Sequence, residues 1–589
     1  MGARVVAVRS NQPDGPSRQE APVHAVLRQL TRPVWRLASS FRAIGLVGAL
    51  CFLCLTFLPA LIPRPLVHQA VFSGLTAALG YGFGLLLAWF GRRAGIHPDW
   101  ADRTRRMGWF ILAGAAALAI TGFMFWSFSW QAEARRLLGM AEIGPSFIAA
   151  LPLALVTALI LVLLARAVRV FAQRCLTVLK RWVPLTVFRL VTWVGVAAVA
   201  VLVLNGTAMS WLITGMEKIA IAADRRGDPD LVQPVLAERS GSPESLVSWD
   251  SLGRFGRQFV SGGPSTAQLA DFASRRATPP EADVEVPIRV YAPLGAADSP
   301  TVGAELAVAE LDRTGAWDRA VLVVAAPASS GLVDPAAVET IELMHGGNTA
   351  VAALQYSELP SWIAFLADRH GAPEAGQALF EAVYAAWSER PEAERPLLLM
   401  YGESLGSFSG HGAFSGLQDM VVRTDGALWV ATPWGTEILR DLTENRDAGS
   451  YERHPVYEDG RQVRWASGTG AADLWELGPR WEFPRVAYIQ HASDAVVWWS
   501  SDLLLHEPDW MREPAGVDVL PGLQWLPVVT FWHVTMDLFL AGDVPAGYGH
   551  NYLLEYVDGW SAVAPPDDWS DHDAGMLREV IDERFADMY

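Results

Sequence analysis

Two patterns of hydrophobic and polar positions divide the chain. Up to about residue 216, uncharged apolar runs alternate with charged clusters, at 43–63, 65–91, 107–132, 143–165 and 190–216. Each can form a helix of about 20 residues, the length that crosses a hydrocarbon core. The runs are built of Leu, Ala, Val, Gly, Phe and Trp and show no polar face. A surface helix in water needs such a face, so five transmembrane spans are expected. The first run follows some 40 largely polar residues and precedes further spans, unlike a cleaved signal peptide. His68, Asn205 and Ser210 are lone polar residues in these runs, read as helix–helix hydrogen-bonding partners.

After a polar connector, short β-branched runs begin. They are Val286–Leu294, Val321–Pro327, Thr349–Ser357, Pro396–Gly402, Ala427–Pro433 and Arg485–His491. Helical patterns at Val302–Leu311, Pro335–Met344, Trp362–Trp387 and Leu405–Met420 separate most of them. Strands spaced by helices predict βαβ units, hence a mainly parallel sheet with helices on both faces. The expected division is a basic arm at 1–42, a transmembrane domain at 43–216, a connector at 217–283 and an α/β domain at 284–589. About 50 mostly polar residues between Pro433 and Arg485 read as an inserted lid or a surface excursion.

Charge follows the same division. Residues 1–216 hold 21 Arg and Lys against 6 Asp and Glu, whereas the whole chain carries −17. The N-terminal arm and the loops after the second and fourth runs hold almost all of these cations. By the positive-inside rule the N-terminus is cytoplasmic, and five spans place everything beyond Met216 outside. The runs carry no internal Asp, Glu, Lys or Arg, which disfavours a pump, a transporter or an intramembrane metalloprotease. The acidic second half offers no nucleic-acid patch. Cys51, Cys54 and Cys175 all lie in or beside the membrane region, so the outer half has no disulfide, Cys nucleophile or thiolate metal site. No metal or cofactor motif occurs, and none is expected.

One motif carries chemistry: Gly402-Glu403-Ser404-Leu405-Gly406, matching G-x-S-x-G between a predicted strand and a predicted helix. A serine at that turn projects its hydroxyl from the sheet edge, and the glycines are needed because side chains there collide. Serine needs a general base, and in this arrangement the order is Ser, acid, His. His550 lies in a glycine-rich loop, Val544–Asn551, and is the candidate base. His533 sits in an apolar run and reads as a packed helix residue, and His572 as solvated. Asp494, just past the strand Arg485–His491, is the candidate acid, with Asp502 as runner-up. The oxyanion donors expected are the N–H of Leu405 and one from the loop holding Ser329 and Ser330.

The stretches Ser245–Gly263, Gly331–Pro335, Tyr401–Ser407, Asp441–Ser450, His491–Ser501, Trp525–Trp532 and Gly549–Tyr556 resemble the membrane-anchored α/β-hydrolases of actinobacteria. The resemblance covers most of 245–563 and implies an N-terminal membrane domain with a C-terminal catalytic domain. Ser329-Ser330-Gly331-Leu332 stands where that family has a glycine-threonine-glycine-tryptophan type loop, and Ala495 where it usually has proline. The activity expected is a serine hydrolase acting on an ester, with a lipid or cell-envelope acyl ester as the substrate class. Acyl transfer by the same residues and an inactive scaffold or sensor are the alternatives.

Overall fold

The computed structural model of the chain describes residues 41–96, 101–182, 231–279, 283–468, 472–585 and 588. The run 190–216, with Asn205 and Ser210, and nearly all of the arm 1–42 lie outside the described residues. Contacts divide the chain into two compact units. One holds the apolar helices, within residues 1–57, 67–124 and 149–166. The other holds the sheet and takes in Leu58–Leu66, Phe125–Ile148 and the chain from Ala167 onward.

Three helices of the described residues are long and apolar enough to cross a membrane: Leu66–Arg93, Asp102–Leu137 and Pro145–Cys175. They cover the second, third and fourth predicted runs. The first run forms a shorter apolar helix, Ala43–Leu55, and its remainder to residue 63 is not helical. That helix meets Leu66–Arg93 backbone to backbone: a Cβ on Gly48 would stand 2.3 Å from the Gly80 carbonyl oxygen. Small residues permit such an approach where lipid supplies no hydrophobic drive between helices. Polar bonding between these helices falls to Gln69, not to His68. Gln69 is buried and donates to Thr56 O and Ser73 Oγ, whereas His68 is exposed.

The second unit is built on seven parallel strands: β1 (Ile288–Ala292), β2 (Val321–Ala326), β3 (Thr349–Leu354), β4 (Leu397–Glu403), β5 (Gly426–Val430), β6 (Val463–Ala466) and β7 (Arg485–Ile489). Their spatial order is β1-β3-β2-β4-β5-β7-β6. Strand side chains alternate between faces, and both faces are covered. On one, Val321, Val323 and Ala325 pack with Ile341 of helix Pro335–Met344 and Trp560 of helix Glu555–Val563. On the other, Leu322 and Val324 pack with Leu311 of helix Pro300–Thr314 and Phe380 of helix Gly371–Ser388. Burying each large side chain contributes about 1.5–3 kcal/mol, which is why most of the strands read as apolar runs.

Two regions differ from the expectation. The segment between Pro433 and Arg485 supplies an edge strand, β6, which the sequence pattern hides. Arg464 lies in its middle, fully buried, and its guanidinium donates to the carbonyls of Gly460, Leu474, Gly478 and Arg480. A charged residue broke the apolar run, although its charge is satisfied by backbone. The connector is also built into the sheet unit. Its helices Arg254–Ser261 and Thr266–Arg275 carry Phe259 and Leu269 into the core. Arg289 of β1 is bound to Glu342 at 2.6 Å, donates to Phe259 O, and exchanges backbone bonds with Glu238 and Ser240.

Candidate active site

The chain leaves β4 through Glu403 and turns at Ser404, which has φ 55° and ψ −124°. A non-glycine residue at such angles costs about 1–3 kcal/mol and persists only where its surroundings hold it. Here Ser404 N–H donates to Val430 O on β5 at 2.9 Å, and helix Leu405–His411 starts at the next residue. The two motif glycines let the turn close. A Cβ on Gly402 would lie 2.7 Å from Gly406 O, and one on Gly406 would lie 2.2 Å from Ala326 O, at the end of β2. The loop that leaves β2 therefore runs beside the turn that carries Ser404.

Asp494 and His550 are joined. Asp494 follows β7, is fully buried, and presents Oδ2 to His550 Nδ1 at 2.8 Å. Its Oδ1 accepts the N–H of Val496, capping the short helix Ala495–Trp498. A helix cap and a histidine partner are thus the same carboxylate. Asp502, the runner-up, is exposed on the short helix Ser501–Leu504, and among the described residues its carboxylate bonds no histidine ring. Burial pulls the His550 pKa down, but the charge and hydrogen bond of Asp494 and the charge of Glu403 outweigh it, and the net shift is upward. Glu403, inside the serine motif, is thus within electrostatic reach of the imidazole.

Several residues that frame this pair were not singled out from sequence. Tyr552 donates from its hydroxyl to the same Asp494 oxygen, at 3.0 Å. Ser493 accepts the Gly549 N–H at 2.8 Å and itself donates to Asp518, while His550 N–H donates to Ala541 O. The histidine loop is pinned on both sides, and Gly549 occupies φ 53° there. His491 stacks on Tyr552, with centroids 4.1 Å apart, and bonds Gly549 O and Glu555. Glu403 accepts from the hydroxyls of Tyr556 at 2.9 Å and Tyr401 at 3.3 Å. The tyrosine two residues past His550 and the acidic residue inside the serine motif are the only local signals for these roles.

In the loop after β2, the Ser329 hydroxyl donates to Leu359 O at 2.6 Å, and Ser330 O accepts from Gln355. Gly331 takes φ 93°, and a Cβ there would collide with the Tyr291 hydroxyl. The N–H groups of Ala328 and Gly331 are used inside the loop, bonding Leu332 O and Ala328 O. Those of Ser329, Ser330 and Leu405 have no partner among the described residues.

Other histidines have separate settings. His411 is buried, bonded to Ser407 O and the Tyr488 hydroxyl, and burial lowers its pKa to about 4. His506 and His572 are exposed. His533 is buried in helix Val529–Asp537 and lines an apolar cleft with Leu58, Leu61, Trp126, Leu526 and Val534. The opposite face of that helix presents Phe531 and Thr535 to Trp499. The indole of Trp499 donates to Thr535 at 2.9 Å and meets Phe365, whose ring touches Phe408 beside the serine turn. Trp498, in contrast, is core: it is buried, with its indole N–H on His491 O.

Residues 288–577 match the model of an alpha/beta-hydrolase family, and residues 55–264 match the model of an alpha/beta-hydrolase family N-terminus. Together the two take in most of the chain. Comparison with curated proteins and with solved structures gives no match.

Proposed function

From the premise that the chain belongs to the alpha/beta-hydrolase family, we propose that it is a membrane-anchored serine hydrolase that cleaves an ester. The observations that carry this are a strained serine, Ser404, at the strand-to-helix turn after Glu403, and an imidazole within electrostatic reach of Glu403 whose Nδ1 is committed to Asp494 at 2.8 Å. With Nδ1–H on the carboxylate, His550 is held in the tautomer whose Nε2 accepts a proton.

Ser404 Oγ attacks the ester carbonyl carbon while His550 takes the hydroxyl proton. Asp494 and the Tyr552 hydroxyl stabilise the arrangement. The oxyanion accepts from the N–H of Leu405 and from an N–H of the Ser329–Ser330 loop. His550 returns the proton to the leaving alcohol, which leaves an acyl-serine. Water, deprotonated by His550, then releases the acid. An acyltransferase would place a second alcohol where this water enters.

A lipid or cell-envelope acyl ester is the substrate class this reading favours. Its support is the cleft lined by Leu58, Leu61 and Trp126, together with the aromatic series Phe531, Trp499 and Phe365 on the way to the serine turn. Three helices able to cross a membrane precede the sheet. The domain beyond Met216 is proposed to lie outside the cytoplasm, from the arginine asymmetry of the loops.

Labelling of the full chain with a fluorophosphonate tests the reading, because only an activated serine reacts. Labelling that disappears in Ser404→Ala supports it. Absence of labelling in the active-pH range would leave a hydrolase fold without turnover.

A further inference from the structure

The mechanism above leaves out His491, yet this residue reaches both members of the acid–base pair through one neighbour each. It is fully buried just past β7, three residues before Asp494. Towards the base, its Nδ1 lies 2.8 Å from the carbonyl oxygen of Gly549, the residue before His550. The N–H of His550 donates to Ala541 O at 2.7 Å. The peptide leading into His550 is therefore held at both of its polar groups, its carbonyl by His491 and its N–H by Ala541. Towards the acid, the His491 ring lies on Tyr552 with centroids 4.1 Å apart and planes within 6°. The backbone N–H of His491 donates to the Tyr552 hydroxyl at 3.0 Å. That hydroxyl in turn donates to Asp494 Oδ2, the oxygen that bonds His550.

The other ring nitrogen, Nε2, lies 3.3 Å from Glu555 Oε1. Glu555 already accepts the N–H of Leu553 at Oε2, at 3.1 Å, and its own backbone N–H, the setting of a carboxylate. A carbonyl oxygen and a carboxylate can only accept, so His491 faces an acceptor at each nitrogen. A neutral imidazole has one N–H and satisfies one of them, whereas an imidazolium satisfies both. Were the ring neutral, the anionic Glu555 would be the stronger acceptor and would keep the single proton on Nε2. The Nδ1 lone pair would then face the Gly549 carbonyl, and that bond would be lost. The remaining groups around the ring favour the cation as well. Asp518, which accepts from the Ser493 hydroxyl, acts on it from one side, and Asp494 stands behind Tyr552 on the other. Burial disfavours a charge on His491, but the bond and charge of Glu555 and the charge of Asp518 outweigh it, and its pKa is raised.

We propose that His491 is a positioning residue, held as an imidazolium, whose second proton fixes the Gly549 carbonyl and with it the place of His550 against Asp494. It touches no substrate and passes no proton in the reaction. Its effect is a distance: the 2.8 Å between His550 Nδ1 and Asp494 Oδ2 holds while the peptide Gly549–His550 is held. Loss of the second proton frees the Gly549 carbonyl and loosens the base, without altering Ser404, Asp494 or His550 themselves. The inference rests on the serine hydrolase reading.

The test is the rate of fluorophosphonate labelling of Ser404 in the full chain as a function of pH, which needs no known substrate. Wild-type labelling should fall on the alkaline side, as His491 gives up its second proton. Glu555→Gln should lose that fall: the glutamine amide can donate to Nε2, so a neutral ring keeps its proton on Nδ1 and the Gly549 bond survives. His491→Leu removes the donor and should slow labelling at every pH, by up to about 100-fold, the scale on which a misplaced catalytic group costs rate. His491→Asn, whose amide can reach the Gly549 carbonyl but does not titrate, should recover most of that loss and show no alkaline fall. A residue serving packing alone would give equal losses in the Leu and Asn variants and leave the alkaline fall in Glu555→Gln. Nitrogen NMR of the histidine-labelled chain gives a readout independent of activity, and it decides the matter together with Glu555→Gln if His491→Leu does not fold. At neutral pH His491 should show two protonated ring nitrogens, assigned by their absence in His491→Asn. A neutral ring in that spectrum, an alkaline fall that persists in Glu555→Gln, or no recovery from Leu to Asn would overturn the inference. Failure to label Ser404 at any pH would instead overturn the hydrolase reading itself and leave the spectrum of His491 as expected.

Discussion

His550 Nδ1 lies 2.8 Å from Asp494 Oδ2, and 56 residues of chain separate the two. The carboxylate is fully buried while a fifth of the imidazole side chain is exposed. The pair therefore has one side anchored in the core and one side open to a reactant. Everything that fixes it belongs to the loops leaving β7 and closing on Gly549: the Ser493 hydroxyl, the Tyr552 hydroxyl and the Ala541 carbonyl.

Ser404→Ala and His550→Ala should each lower hydrolysis by roughly 10³-fold or more, and the double variant should lose little further, because the residues act as a unit. Asp494→Asn should cost on the order of 10⁴-fold through the wrong tautomer. Rates on p-nitrophenyl esters of increasing acyl length measure this. Wild-type turnover by Ser404→Ala would move the nucleophile elsewhere.

Tyr552→Phe leaves the imidazole–carboxylate bond in place but removes one of two donors from Asp494 Oδ2. A hydrogen bond to a charged group is worth about 1.5–3 kcal/mol. kcat should fall by roughly 10-fold, with KM little changed, and steady-state kinetics read both. A variant with wild-type kcat would show that Asp494 is held well enough without Tyr552.

His491 and Glu555 form a buried pair with a pH signature. Burial disfavours both charges, but each partner's charge and hydrogen bond outweigh it, so the His491 pKa is raised and that of Glu555 lowered. The His491 contribution is complete below its unfolded pKa of about 6.5 and is lost as pH rises through the raised folded value. The Glu555 contribution is present above about 4.3 and is lost as pH falls through the lowered value. The Tm gap between wild type and His491→Asn should therefore be widest between about pH 4.5 and 6.5. A gap that widens toward alkaline pH would contradict the pairing.

Arg64 and Asp537 are bound at 2.8 Å with side chains 1% and 0% exposed, and Leu61 N–H also donates to Asp537. Arg64→Ala leaves a buried carboxylate unpaired, at a cost of about 3–5 kcal/mol. A chain starting at residue 231 also lacks Leu61 and Ile62, which belong to the main core of the sheet unit. Thermal unfolding of Arg64→Ala in detergent should show a clear loss of Tm, and the truncated chain should aggregate. A soluble, cooperatively folding truncation would refute this.

Topology can be read directly. Protease added to intact spheroplasts should digest the domain after Met216, and full protection would place it in the cytoplasm. The arginines that motivate this lie in the arm and in the loops after the second and fourth apolar runs.

Local pattern determined much of this protein. Long uncharged runs can only be buried or in lipid, so the helices Leu66–Arg93, Asp102–Leu137 and Pro145–Cys175 were visible in composition alone. Strands buried on both faces are mostly apolar, which located β1–β5 and β7 to within a few residues. Gly402 and Gly406 marked the turn at Ser404 because only glycine fits the contacts there. What depended on distant partners was not written locally. β6 is invisible because Arg464 becomes tolerable only when the carbonyls of Gly460, Leu474, Gly478 and Arg480 surround it. Residues 58–63 read as the end of the first predicted span, yet Leu58–Leu66 folds with the sheet unit, where Asp537, some 470 residues on, receives Arg64. The framing of the histidine by Tyr552, Ser493 and Asp518, and the bonding of Glu403 to two tyrosine hydroxyls, likewise arise only when β4, β7 and helix Glu555–Val563 come together. A side chain's charge and bonding are set by its neighbours in space, and the tertiary structure alone chooses those.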